Sequence, residues 1–225
     1  MPWRAAPVFQ KEAGELLRTL QGFSEAELKA LFKANDAITH ENYLRYQTMR
    51  LDQGLTPAVL AYVGIQYQYM APQIFTKEQW EYVCSHLRIL SGFYGVLRAD
   101  DGVVPYRLEM QARLKIGLHK DLYGWWGDKI YRELSEGRPA VILNLASKEY
   151  SKAVEPYLEP DVVFLNVVFG CMETDKNGNP KIKVKATEAK MARGEMVRYL
   201  AERRIQTPEQ IREFDRLGYR YRGEL

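Results

Sequence analysis

The spacing of apolar residues switches repeatedly between the helical and the strand period. Ala13, Leu16, Leu17 and Leu20 recur at helical spacing and predict a helix over 11–20. Ser24, with Glu27 three residues on, forms a capping-box variant opening a second helix, whose core face is Leu28, Leu31 and Phe32. A third helix, rich in polar and aromatic residues, is expected over 39–52 and ends at Gly54. Thr56-Pro57 reads as a helix cap with proline in the first turn, and 58–69 fits a short helix or a buried strand. Thr76 and Gln79 cap a helix expected to run through Leu90.

Farther on, 120–134 reads as a helix through Leu122, Trp125, Trp126, Ile130 and Leu134, with Arg138-Pro139 as its break. The runs 141–145 and 162–169 are strands rich in Val, Leu and Phe. Ser147 caps a helix between them, which Pro156 stops. Asn177-Gly178 marks a hairpin turn, and 181–185 alternates lysine with Ile182 and Val184 as the return strand. A long helix over 188–203, a short one capped by Thr207 and a final strand over 218–222 complete the pattern. Strands interleaved with helices predict an α/β fold, a mixed sheet surrounded by helices.

The stretch 86–110 stands apart. Ser91-Gly92-Phe93-Tyr94-Gly95 is a glycine-framed turn between apolar runs. It is similar to the hairpin of a helix-hairpin-helix, where glycine amides reach phosphate oxygens and cations such as Arg88 and Arg98 supply charge. It has two residues between its glycines where that hairpin usually has one. The alternative is a helix C-cap followed by an ordinary turn. Next, 105–110 alternates. As a strand it would place Tyr106, Leu108 and Met110 on one face and Arg107 and Glu109 on the other.

Composition narrows the classes. Of 225 residues 46% are hydrophobic, enough for a sizeable core, and no linker-like segment divides them, so one compact domain over 1–225 is expected. A net charge of +3 does not by itself imply a polyanion partner, although Lys and Arg cluster in the C-terminal half. Cys84 and Cys171 lack metal-site spacing and fit a reducing compartment. No apolar run approaches membrane length and no signal pattern opens the chain, which points to a cytoplasmic protein with no membrane partner. His40, His86 and His119 are scattered, and no phosphate-binding loop, dinucleotide fingerprint, zinc-protease motif or nucleophile elbow is present. Neither a metal nor a cofactor is expected, and no protein partner is legible.

Two groups of polar residues are candidates for chemistry. Asn144, Ser147, Glu149, Tyr150 and Lys152 lie at a strand-to-helix junction, where α/β proteins commonly build ligand sites; for Ser147 a plain N-cap is the alternative. Arg107 and Glu109 are either a pair lining a cleft or a solvated surface pair. A carboxylate beside a hydroxyl such as Tyr150 supplies the parts for acid–base catalysis. Lys190 and Arg193 share a helical face beside Gly194, where a phosphate could approach; a solvated basic face is the alternative.

Taken in order, the motifs resemble the YaaA peroxide-stress family over about 7–222. The most specific are 86–98, Pro105-Tyr106-Arg107-Leu108-Glu109-Met110, Asn144-Leu145-Ala146-Ser147-Lys148-Glu149-Tyr150 and Ala189-Lys190-Met191-Ala192-Arg193-Gly194. Leu122-Tyr123 with Trp126, and Ala61-Tyr62 with Gly64 and Tyr67, match as well. Members of that family usually open with an apolar strand running into Ser-Pro-Ala-Lys. This chain starts Met1-Pro2-Trp3, so no role of that lysine carries over and the expected sheet is one strand short. The resemblance implies a cytoplasmic α/β protein that limits free iron and iron-driven DNA damage under hydrogen peroxide. It also implies binding to duplex or distorted DNA through a basic cleft and the hairpin segment. Arg88, Gly92, Gly95 and Arg98 match that segment, and Lys190 and Arg193 match a basic motif. The other reading is an enzyme acting on a nucleobase or nucleotide in one polar pocket built from the same motifs, with Arg107, Glu109, Asn144, Ser147, Glu149 and Tyr150 as catalytic candidates and Lys190 beside them.

Overall fold

The computed structural model describes residues 2–137 and 141–224, so the expected break at Arg138-Pro139 lies outside the described residues. In chain order the elements are α1 (Gln10–Gln21), α2 (Glu25–Phe32), α3 (Asp36–Thr48), β1 (Thr56–Pro57), α4 (Ala58–Ala61), α5 (Ile65–Met70), α6 (Lys77–His86), β2 (Arg88–Ser91) and β3 (Gly95–Arg98). There follow β4 (Gly102–Val103), α7 (Leu122–Trp126), α8 (Lys129–Ser135), β5 (Val141–Asn144), α9 (Lys148–Ser151), β6 (Val163–Asn166), β7 (Cys171–Thr174), β8 (Pro180–Lys183), α10 (Ala186–Arg203) and α11 (Pro208–Ile211).

The expected α/β class is observed. Its strands pair in small two-stranded ladders: β1–β4, β2–β3 and β7–β8 antiparallel, and β5–β6 parallel. Strands of two to four residues offer too few ladder bonds to build a broad sheet. No helix among the described residues is long and apolar enough to cross a membrane.

The chain forms two compact units. Unit 1 takes residues 1–61, 87–140 and 146–162; unit 2 takes 62–86, 141–145 and 163–225. In unit 1, α1 buries Ala13, Leu16, Leu17 and Leu20 as the helical spacing requires. Ser24 and Glu27 close a complete capping box on α2. Asn35 caps α3, which stops at Thr48 rather than running to 52. Gly127, with a positive φ of 50°, separates α7 from α8 where one helix was expected. Thr56-Pro57 pairs with Gly102–Val103 and runs directly into α4.

In unit 2, α10 packs Ala189, Ala192, Met196 and Tyr199 against Phe169, Ile205 and Phe214. It also packs against α5 and α6. A Cβ on Gly194 would stand 2.0 Å from the Gln66 carbonyl oxygen, so the two backbones meet where a side chain is absent. The ambiguous stretch 58–69 is two short helices, α4 and α5. Helix α6 ends at His86, and 88–90 turns into strand β2. The segment 218–222, expected as a strand, has no ladder partner.

Candidate functional site

The glycine-framed turn is a β-hairpin, and its tip is buried in unit 1. The Ser91 hydroxyl accepts from the backbone N–H groups of Phe93 and Tyr94, at 3.1 and 2.8 Å, which holds the reversal closed. Trp126 donates its indole N–H to the Gly92 carbonyl at 3.0 Å. A Cβ on Gly92 would meet the Leu108 carbonyl at 2.5 Å, and one on Gly95 would strike Trp126 at 2.8 Å. Phe93 stacks on Tyr106, ring centroids 4.9 Å apart. The two glycines therefore admit neighbouring protein atoms, and both are buried where phosphate contacts were expected of them.

The segment following the hairpin keeps the expected alternation without being a strand. Leu108 and Met110 are buried while Arg107 and Glu109 are half-exposed, and they pair at 2.9 Å. Instead of a ladder partner, one fully buried side chain serves the backbone of Arg107. The Tyr46 hydroxyl donates to the Arg107 carbonyl at 2.7 Å and accepts from its N–H at 3.2 Å. Burial pushes that hydroxyl well above the ordinary tyrosine range, so it stays protonated and able to donate. The Nε of Arg107 is buried with no acceptor among the described residues.

Glu149 belongs to the same unit. Its carboxylate accepts from the Gln111 backbone N–H at 3.3 Å, and its carbonyl accepts from the Tyr123 hydroxyl at 2.8 Å. Ser147 occupies the N-cap position of α9 without a side-chain cap bond, and Tyr150 lies half-buried on that helix. Unit 1 thus holds Arg107, Glu109, Ser147, Glu149 and Tyr150. Bonds tie Arg107 to Glu109, and the backbone of Gln111 to Glu149. Asn144 lies in unit 2, where it ends β5 and donates to the Asn166 side chain across the ladder at 2.6 Å.

Arg88 and Arg98, also in unit 1, face each other across the β2–β3 ladder. In unit 2, Lys190 is exposed on α10, and Arg193 is half-buried with an Nε that has no partner among the described residues. Burial lowers the Arg193 pKa. The backbone beside Gly194 is already met by Gln66, which closes the approach expected for a phosphate there.

Charge divides sharply between the units. Unit 1 carries 18 Lys and Arg against 18 Asp and Glu, and unit 2 carries 14 against 11. The whole excess of +3 thus lies in unit 2. There Arg198 and Arg216 are matched by Glu195 and Glu202, Lys183 by Glu173 and Lys185 by Glu188. Lys176, Lys181, Lys190, Arg203, Arg204, Arg220 and Arg222 are exposed and take no ion pair among the described residues. An open groove of about 690 Å³ is lined by Met172, Met191, Leu217, Tyr219, Arg220 and Arg222 among others. Sequence reasoning chose Lys190 but passed over Arg220 and Arg222; the run Tyr219-Arg220-Tyr221-Arg222, basic and aromatic by turns, was the available signal. Among the described residues no three His, Cys, Asp or Glu gather as a metal ion would need.

A family model described as "Peroxide stress protein YaaA" matches residues 2–225. Similar proteins include a UPF0246 protein of Agathobacter rectalis, 51% identical over 220 residues, covering 97% of this chain and 86% of the relative. A UPF0246 protein of Desulfitobacterium hafniense is 51% identical over 222 residues, covering 99% and 86%. One of Pediococcus pentosaceus is 48% identical over 219 residues, covering 97% and 85%.

Proposed function

This chain belongs to the YaaA peroxide stress protein family, and from that premise we propose that it binds DNA, duplex or distorted, and limits the damage done there by free iron. The observation that carries the reading is the placement of charge. Unit 2 holds the entire positive excess, and seven of its cations are exposed and take no ion pair among the described residues. Lysine and arginine in this state gain by displacing counterions from a phosphate backbone, without reading sequence. Met191 and Tyr219 beside Arg220 and Arg222 add apolar and aromatic surface on which an unstacked base can rest.

Affinity should therefore be modest, nearly indifferent to sequence and steeply dependent on salt. About five phosphate contacts lower affinity by about 10²–10³ between 50 and 200 mM salt. Titration of labelled duplex, bubble and single-stranded probes at the two salt concentrations measures this slope. Absence of binding at the lower concentration would remove the reading.

A different observation favours a second reading. The Arg107 Nε is buried without an acceptor among the described residues, beside the Arg107–Glu109 pair, and a ligand oxygen would satisfy it. An enzyme acting on a nucleobase or nucleotide would use that position. Glu109→Gln keeps the shape and removes the charge. Under the enzymatic reading it abolishes protection of peroxide-stressed cells while the protein stays folded. Under the DNA-binding reading, protection is unchanged.

A further inference from the structure

Unit 1 contains a recess of about 230 Å³ whose lining includes Ala5, Ala6, Arg88, Arg98, Asp101 and Glu133. Two of its cations come from directly opposed ladder positions, Arg88 and Arg98. Like charges so placed repel one another. Burial first, and the charge of Arg98 second, weaken the hold of Arg88 on its proton.

The acids around them are loosely engaged. Glu133 of α8 and Glu136, which follows that helix, lie 3.7 and 4.0 Å from Nη2 of Arg98, longer than hydrogen bonds. The guanidinium of Arg98 makes no hydrogen bond among the described residues, so donors in a planar fork remain for an incoming oxygen. Asp101 uses its Oδ2 on the backbone N–H of Arg98 at 2.8 Å, not on either guanidinium. The remaining charges nearby are accounted for: Arg4 pairs with Asp100 at 3.6 Å, and Arg132 pairs with Asp128.

We propose that this recess is a proton-gated site for a sulfate- or phosphate-sized anion, held by Arg88 and Arg98 and opened when Asp101 and Glu133 take up protons. With both acids ionised the four lining charges cancel. Glu136 beside Arg98 adds a further negative charge, so once both lining acids are neutral the two arginines outweigh it, and Arg98 is free to turn two N–H groups onto the anion in a bidentate pair. Burial supplies the gate. It pushes Asp101 up to about 6, with Asp100 adding to the shift against the pull of the Arg98 backbone and the two arginines. It also lifts Glu133, reinforced by Glu136, in spite of Arg98. Linkage makes the coupling reciprocal, so the anion draws in a proton and the proton tightens the anion. The site stands apart from the DNA-binding reading, which rests on unit 2, and either can fail without the other.

Sulfate is the suitable probe because it stays a dianion across the range. Calorimetric titration with sodium sulfate at constant ionic strength, near about pH 7.5 and about pH 5.5, should show about tenfold tighter binding at the lower pH, with proton uptake. Glu133→Gln should tighten binding about tenfold at the higher pH, and the pH dependence that remains in this variant is that of Asp101. Arg98→Gln should abolish binding at both. If Arg98→Gln fails to fold, the gain in Glu133→Gln decides the matter alone. No saturable binding at the lower pH, equal affinity at both, or weaker binding by Glu133→Gln would each overturn the proposal.

Discussion

Replacing Gly194 by alanine is expected to destabilise the protein by about 3 kcal/mol, at the upper end of what an added methyl group costs in a packed contact. The new Cβ would sit 2.0 Å from the Gln66 carbonyl oxygen, 2.9 Å from its carbon and 3.0 Å from the Met70 nitrogen. All three are backbone atoms, so no rotamer change relieves the clash and α5 must shift against α10. For a chain of this size the loss corresponds to a midpoint lowered by about 6–12 °C. Gly22→Ala is the control. Gly22 has an ordinary helical φ of −77°, and its Cβ would meet nothing nearer than 3.4 Å. That variant should stay within about 0.5 kcal/mol of the parent. Thermal melts of both measure the difference; near-equal midpoints would mean that α5 and α10 are not held at this spacing.

Tyr46→Phe should cost about 2–3 kcal/mol although it removes a single oxygen. Phenylalanine keeps the ring contacts with Phe32 and Phe93. What it loses is the hydroxyl serving both the N–H and the carbonyl of Arg107. Two backbone groups without partners cost far more than one side-chain bond contributes. Urea unfolding of the variant reads the loss directly, and the same variant should loosen the Arg107–Glu109 pair that this segment presents. A cost below about 0.5 kcal/mol would show that water replaces the hydroxyl at Arg107.

The sequence carried these features unevenly. Helices with one apolar face, such as α1, and those with complete caps, such as α2 and α11, were legible because their signals are local. The β7–β8 hairpin was legible for the same reason, from its Asn-Gly turn. The ends of α3 and α6 were not, because tertiary pairing set them; β2 begins where an apolar helical pattern continues through Leu90. In α3 the buried positions are Thr39, Asn42 and Tyr46, core spacing filled with polar groups, so the tyrosine that organises Arg107 looked like surface.

Glycine was the most ambiguous letter. Gly92, Gly95 and Gly194 were all candidates for close approach of a ligand, and close approach is what they permit, but of Leu108, Trp126 and Gln66. Composition alone cannot say whether the neighbour of a glycine is a phosphate or the chain itself. Charge was ambiguous in a similar way. A net +3 conveys little until it is divided, because its meaning lies in a neutral unit 1 and a positive unit 2.

The central claim, that unit 2 presents the DNA-binding surface, is tested most directly by comparing two triple variants under one salt titration. In the first, Lys190, Arg220 and Arg222 become glutamine; in the second, Arg113, Lys115 and Lys120, which are exposed in unit 1, become glutamine. Both lose three positive charges, so the change in net charge is the same. The account predicts that the unit 2 variant binds DNA at least about tenfold more weakly at low salt, with a slope reduced by about two to three, while the unit 1 variant keeps the parent slope. Equal losses in the two variants, or a loss confined to the unit 1 variant, would contradict it.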